Sequence, residues 1–297
     1  MTPKTCFTSP ADSHLLEPIN PVRRALRQRY SLGRWLNSLK NVLLLLEVGH
    51  FFLYFCHMEN NGEWTETFKI RTFMTDKSHE ATMITIGNLF QDAAGNHANF
   101  RKLGYHDMKE QNMFWVLNRL KIQVIRFPKW LEEVNVSTWV SEMQPFSHRH
   151  FIMTDAQGQD IGCGCSLWTP IDTITHRIKR LTNFDTPMLD KLTLCGTPPK
   201  LPDTEGVELS SEKLANFSDL DFLGHVNNVK YIEWMLNDYY RNWGEDKFSS
   251  LEINYLNECL LNQVIAIYAK KDMDDMFYVL KRISDGKEIC RARLGFC

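Results

Sequence analysis

The stretch Ser218-Asp219-Leu220-Asp221-Phe222-Leu223-Gly224-His225-Val226-Asn227-Asn228-Val229-Lys230-Tyr231 sets carboxylates, an imidazole and two amides on one strand-to-helix turn. From Asn228 onward the apolar positions Val229, Ile232, Leu236 and Tyr239 recur at helical spacing. The polar group therefore falls at a helix N-terminus, where unpaired backbone N–H groups and the helix dipole favour developing negative charge. Capping alone accounts for an isolated Asp219 or Asp221, but not for the whole set. Such a turn suits chemistry at a carbonyl.

The turn and its helix belong to a unit that the chain writes twice. In the first unit residues 68–73 alternate as a strand and 76–80 form a polar turn. Met83, Ile86, Phe90, Ala94 and His97 then mark one helical stripe that should stop near Gly104. Strands follow at 120–124, 134–138, 151–153 and 161–168. The second unit repeats the order, with a helix to about Trp243 and strands at 251–255, 264–269, 277–281 and 289–296. Asp285-Gly286 between the last two strands is a strong hairpin signal. Pro187, Pro198, Pro199 and Pro202 make 181–207 an extended linker.

A long striped helix followed by antiparallel strands predicts an α+β protein of two tandem domains, each a helix wrapped by a curved antiparallel sheet. The expected boundaries are an N-terminal extension 1–62, a first domain 63–180, the linker 181–207 and a second domain 208–297. A length of 297 residues accommodates two such cores.

The formal net charge of −2, without long basic runs in the body, argues against nucleic acid as a partner. The eight cysteines are scattered and show no zinc-ligand spacing, so no metal is expected. Cys163 and Cys165 share one strand face and read as buried reduced thiols, which implies a reducing compartment. Neither a G-x-S-x-G elbow nor a Gly-rich phosphate loop occurs, so a serine hydrolase and a nucleotide cofactor are both disfavoured, and no cofactor is expected.

Before the folded pattern, Arg23, Arg24, Arg27, Arg29, Arg34 and Lys40 precede an apolar run, 42–56, that carries Glu47 and His50. The run is short for a spanning helix, so membrane is not expected as a partner. A targeting segment and a native start at Met58 are the competing readings. The location implied is cytoplasmic, with organellar targeting by 1–57 as the alternative.

The motifs resemble the acyl-acyl carrier protein (ACP) thioesterase family, whose members carry two hotdog domains in one chain. In the second half the likeness rests on Asp219-Leu220-Asp221 through His225-Val226-Asn227-Asn228-Val229-Lys230-Tyr231-Ile232-Glu233-Trp234 and on Glu258-Cys259. In the first half it rests on Asn88-Leu89-Phe90-Gln91-Asp92-Ala93-Ala94-Gly95-Asn96-His97, then Trp168, Ile171-Asp172 and Arg177. The resemblance implies hydrolysis of fatty acyl-ACP to free fatty acid, with Asp221, His225, Glu258 and Cys259 as catalytic candidates. Where the family turn has Asn, this chain has Leu223, which implies a slower enzyme or compensation elsewhere.

Asn227 and Asn228 at the helix start are candidates for stabilising an oxyanion. Water activated by a carboxylate or imidazole, attack by a carboxylate and attack by Cys259 all stay open. The first half, where Asp76, His79 and Glu80 occupy the equivalent turn and Met83-Ile84 replace the amide pair, is expected to bind the acyl chain. Met83, Ile86, Phe90, Met113, Trp115 and Met143 are the candidate tunnel residues, and Asn96 and His97 are expected to be satisfied by the linker. Arg177, Lys179 and Arg180 are candidates for docking acidic ACP. An acyl-CoA thioesterase and a non-hydrolytic acyl-binding protein are the alternatives, and a homodimer is left open.

Overall fold

The computed structural model describes residues 56–58, 62–143, 146–181, 187–191 and 193–297, all within one compact unit, Leu53–Cys297. In chain order the elements are β1 (Cys56–Met58), β2 (Trp64–Lys69), α1 (Met83–Phe100), α2 (Tyr105–Glu110), β3 (Met113–Val124), β4 (Glu133–Glu142), β5 (Ser147–Asp155) and β6 (Asp160–Asp172). They continue as β7 (Glu208–Leu214), α3 (Asn228–Asn242), β8 (Phe248–Tyr255), β9 (Val264–Asp272), β10 (Asp275–Arg282) and β11 (Glu288–Phe296). This is the mixed helix and antiparallel-sheet architecture expected from the repeat.

All the strands join one sheet in the order β1-β2-β4-β5-β6-β3-β8-β11-β10-β9-β7. The halves meet where β3 pairs antiparallel with β8, from Arg119↔Asn254 to Gln123↔Ser250. At this seam Ile122 and Leu120 face inward beside Leu251 and Ile253, and all four are buried. On the outer face Glu252 is buried between Lys121, 3.1 Å away, and Arg293, 2.7 Å away. Two cations around one buried carboxylate compensate its desolvation and tie β8 to both neighbours.

Helices α1 and α3 lie against the same inner face and share one core. They face each other at Gly87, where an added Cβ would meet Val229 at 3.5 Å and Ile232 at 3.6 Å. The α1 stripe is buried as its period demands: Met83, Ile86, Phe90, Ala94 and His97 all face inward. Thr82 caps the helix through Oγ1, which accepts from Thr85 N at 3.1 Å.

Several expectations are corrected. The opening strand runs over Trp64–Lys69 instead of 68–73, because Thr72–Met74 forms a short 3₁₀ turn. Strand β1 pairs antiparallel with β2, from Cys56↔Glu66 to Met58↔Trp64. Residues 42–55 of the apolar run lie outside the described residues; within those, no helix is long and apolar enough to cross a membrane.

Cys163 is disulfide-bonded to Cys195, while Cys165 is a buried free thiol as expected. The bond straps the linker across the outer face, where Leu189 N also donates to Val140 O and Leu201 N to Asn254 Oδ1. Asn96 and His97 are satisfied by the sheet, not by the linker. Asn96 Nδ2 donates to Glu66 at 2.9 Å, and Arg149 Nη1 lies 3.0 Å from His97 Nδ1.

Candidate active site

The turn 221–225 is held by its own first residue. Asp221 Oδ1 accepts from Leu223 N at 2.8 Å and from His225 N at 3.3 Å, while Asp221 N donates to His225 O and Gly224 N to Asp221 O. Gly224 sits at φ 82°, a conformation glycine adopts without strain. Asp219 is buried and caps the preceding turn through Asn216 N at 2.8 Å.

His225 leaves this turn to form a bridge with Leu260, and Val226 N donates to Cys259 O. These backbone contacts carry Glu258 to the imidazole: Glu258 Oε2 stands 3.3 Å from His225 Nε2. The histidine side chain is about one-third exposed and the glutamate 60% exposed, so solvent and substrate both reach the pair. Chemically, such a pair can take a proton from water, or the carboxylate can itself attack a carbonyl.

Helix α3 begins directly beyond. Asn227 is its N-cap, with Oδ1 accepting from Val229 N at 2.9 Å, while its own N–H donates to Asp219 O. Lys230 N turns back to Asn227 O. The Asn228 N–H thus remains as the helix-start donor with no acceptor among the described residues, so of the two expected amides only position 228 offers an uncommitted backbone N–H.

Cys259 is fully buried beneath the pair, and its Sγ faces Leu260 O. Burial pushes its thiol up to about 11, with the Arg282 charge opposing. A nucleophilic cysteine needs an accessible thiolate. The site lacks one, and Cys259 acts as core.

Arg282 was not apparent from the sequence, although it directly precedes the Asp-Gly hairpin. Its Nη1 donates to the Glu258 carbonyl at 3.0 Å, and Asp285 grips the guanidinium at 2.9 and 2.8 Å. The contact holds Asp285 down to about 2 and anchors the backbone that presents Glu258.

From Asn228 and Val229 a narrow cavity passes into the first half, lined by Gly87, Phe90, Gln91 and Ala94 of α1, with Phe151 and Trp168 from the sheet. Its free space of about 20 Å³ holds one or two waters. Of the six expected tunnel residues only Phe90 lines it. Met83 and Ile86 are packed in the main core, while Met113, Trp115 and Met143 form a separate cluster with Leu103, Met108, Val140 and Leu181. Phe90 stacks on Phe151 with centroids 4.7 Å apart, and a Cβ at Gly164 would strike its ring at 2.6 Å. Gly164 is therefore the seat of the ring that closes the cavity.

Strand pairing puts the basic residues at the end of the sheet that carries His225 and Glu258. Met113 pairs with Asp172 and Arg119 with Asn254, so β3 starts where β6 and β8 end. Tyr105 of α2 touches Phe222 of the turn 221–225, with ring centroids 4.9 Å apart. Arg177 and Arg180 are exposed there. Lys179 is not free to dock a partner, because its Nζ bonds Gln111 O at 2.9 Å and Asp172 at 3.1 Å.

The first-half turn repeats the second, hydrogen bond for hydrogen bond. Asp76 N donates to Glu80 O, His79 N to Asp76 O, Ser78 N to Asp76 Oδ1 and Ala81 N to Pro128 O. Equivalent positions are thus Asp76 and Asp221, Ser78 and Leu223, Glu80 and His225, Phe127 and Glu258. The amide pair is matched by Thr82 and Met83, one residue earlier than the sequence suggested.

Residues 61–184 match the family described as Acyl-ACP thioesterase N-terminal domain, and residues 206–296 its C-terminal domain counterpart. An oleoyl-ACP thioesterase from Coriandrum sativum, named as chloroplastic, is 27% identical over 76% of this chain. A second, from Arabidopsis thaliana, is 32% identical over 60%. The chain spans 67% and 54% of the lengths of these two relatives. Among solved structures, an acyl-ACP thioesterase from Bacteroides thetaiotaomicron is 26% identical, with a TM-score of 0.73 over 81% of this chain and 100% of its own. The 12:0-ACP thioesterase from Umbellularia californica, 22% identical over 79% of this chain and 97% of its own, shares the fold with a TM-score of 0.65.

Proposed function

Because the chain belongs to the acyl-ACP thioesterase family, we propose that it hydrolyses fatty acyl-ACP to free fatty acid and ACP, as a step of fatty acid biosynthesis. The observation that carries this reading is the His225–Glu258 pair, 3.3 Å apart, beside a helix N-terminus from which a cavity runs into the other half.

In this mechanism the thioester carbonyl lies at the start of α3, its oxygen toward the Asn228 N–H. Water attacks the carbonyl carbon while the His225–Glu258 pair takes its proton. The tetrahedral intermediate then expels the thiolate, which recovers that proton as the thiol. Asp221 contributes by holding the turn. Attack by the Glu258 carboxylate is the alternative first step, expelling the thiolate and forming an anhydride; in heavy-oxygen water, label in the Glu258 side chain after single turnovers would show that water cleaves that anhydride at the Glu258 carbonyl.

The first half receives the acyl chain in this reading, so Phe90 and Trp168 must swing aside to make room beyond the present 20 Å³. Arg177 and Arg180 supply positive charge toward acidic ACP at the same end of the sheet. The Coriandrum sativum and Arabidopsis thaliana relatives are named as chloroplastic, and a fluorescent fusion of the full chain distinguishes an organellar from a cytoplasmic location.

The deciding experiment assays the full chain on acyl-ACP and acyl-CoA esters of increasing chain length. Release of free acid with higher kcat/KM on ACP esters is expected. Preference for CoA esters would make the protein an acyl-CoA thioesterase, and tight acyl binding without acid release would make it an acyl-binding protein.

A further inference from the structure

The cavity beside α3 is largely apolar, yet α1 projects one long carboxamide into it. Gln91 lies one helical turn after Gly87, on the face that touches Val229, and both Gln91 and Asn228 line the cavity. Neither carboxamide hydrogen-bonds to any described residue, whereas Ser166, another polar group on the wall, is engaged by Trp168 Nε1 at 2.8 Å. Both carboxamides are part-exposed, so each is available to pair with a polar group that enters the cavity beside Phe90, Leu117, Leu120 and Phe151. The turn 221–225, meanwhile, carries apolar Leu223 and has no side-chain amide of its own.

We propose that Gln91 is a catalytic residue supplied by the first half, its N–H₂ donating to the thioester carbonyl oxygen alongside the Asn228 backbone N–H. As water adds to the carbonyl carbon, the C=O π pair localises on oxygen, and these two donors hold that charge until the C–S bond breaks and the thiolate is protonated. The inference rests on reading the chain as a hydrolase. It also gives the two-helix arrangement a chemical role: α3 brings the dipole at its start, the segments flanking it bring the proton acceptors His225 and Glu258, and α1 brings the second donor.

The test compares unmodified chain with Gln91→Leu and Gln91→Glu on acyl-ACP of several chain lengths, measuring kcat and KM separately. Loss of one oxyanion donor typically lowers kcat about 10²–10³-fold. The Leu variant should fall by that order with KM, chain-length preference and thermal midpoint nearly unchanged. The Glu variant, which sets a negative charge against the oxyanion, should fall at least as far and serves if the Leu variant misfolds. Unaltered kcat with a shifted KM or chain preference would make Gln91 a tunnel-wall residue and overturn the inference, leaving hydrolysis intact. No free acid from the unmodified chain would overturn both.

Discussion

The turns 76–80 and 221–225 share a backbone and differ in what surrounds it. Each is tied by an Asp side chain to the N–H two residues on, at 2.7 Å in the first half and 2.8 Å in the second. Each leads through a capping residue into a long helix. In the second half the fifth turn position is His225, facing Glu258. In the first it is Glu80, and Phe127 stands where Glu258 would be.

Lys247 then closes the first turn, 2.5 Å from Glu80 and 3.3 Å from Asp76, with its ammonium 5.5 Å from the Phe127 ring centroid. Burial works against the Lys247 charge, but Glu80 and Asp76 outweigh it and raise its pKa. The scaffold of a turn is thus separable from its chemistry. One copy presents an open acid–base pair, and the other spends the same geometry on an interdomain ion-pair latch.

The sharpest way to break this comparison is to disable both copies. His225→Ala should cost about 10²–10⁴ in kcat, the usual worth of a general base, whereas Glu80→Ala should leave kcat nearly unchanged and lower only the melting temperature. Equal losses in the two variants would show that both turns are catalytic. Next in size is Leu223→Asn, which restores the family amide and should raise kcat roughly tenfold, about 1.4 kcal/mol of barrier; an unchanged or lower rate would mean that position 223 is not what limits this site.

Charge reversal at Arg177 and Arg180 should raise KM for acyl-ACP several-fold while sparing a small thioester. Equal effects on the two substrates would remove these arginines from the docking surface.

The smallest effect separates the halves by pH. Buried His97, with Arg149 beside it, is held down to about 3, and buried His150 to about 4, in both cases chiefly by desolvation. Their folded pKa values lie below the unfolded value near 6.5, so the unfolded chain binds more protons in the interval between. Stability is therefore retained above about pH 6.5 and lost as pH falls from there toward 4 and 3, on the order of 1.4 kcal/mol per pH unit for each histidine. His97→Gln should flatten the decline in thermal midpoint between pH 7 and 5 if the first half is its source. The Asn242 position, the α3 counterpart of His97, has no titrating group to add.

Helix stripes, the Asp285-Gly286 hairpin and the doubled order of elements were legible because they rest on interactions within a few residues. The 3₁₀ turn at Thr72–Met74 and the short helix α2 carry no comparable periodicity. The tunnel prediction erred for a different reason: methionines and aromatics look alike in sequence whether they line a cavity or fill a core. Met83 and Met113 proved to belong to different clusters altogether.

Local order was decided by the chain itself: two strand-helix-strand units, a polar turn at each helix start, and the family to which those motifs belong. Only the tertiary structure decided which turn carries a facing imidazole and carboxylate. Glu258 reaches His225 through the bridge to Leu260, Lys247 reaches Glu80 from the other half, and Gln91 shares a cavity with the start of α3 because the two helices pack on one sheet face. These are pairings between residues far apart in sequence, set by strand register and helix packing, and no local propensity encodes them.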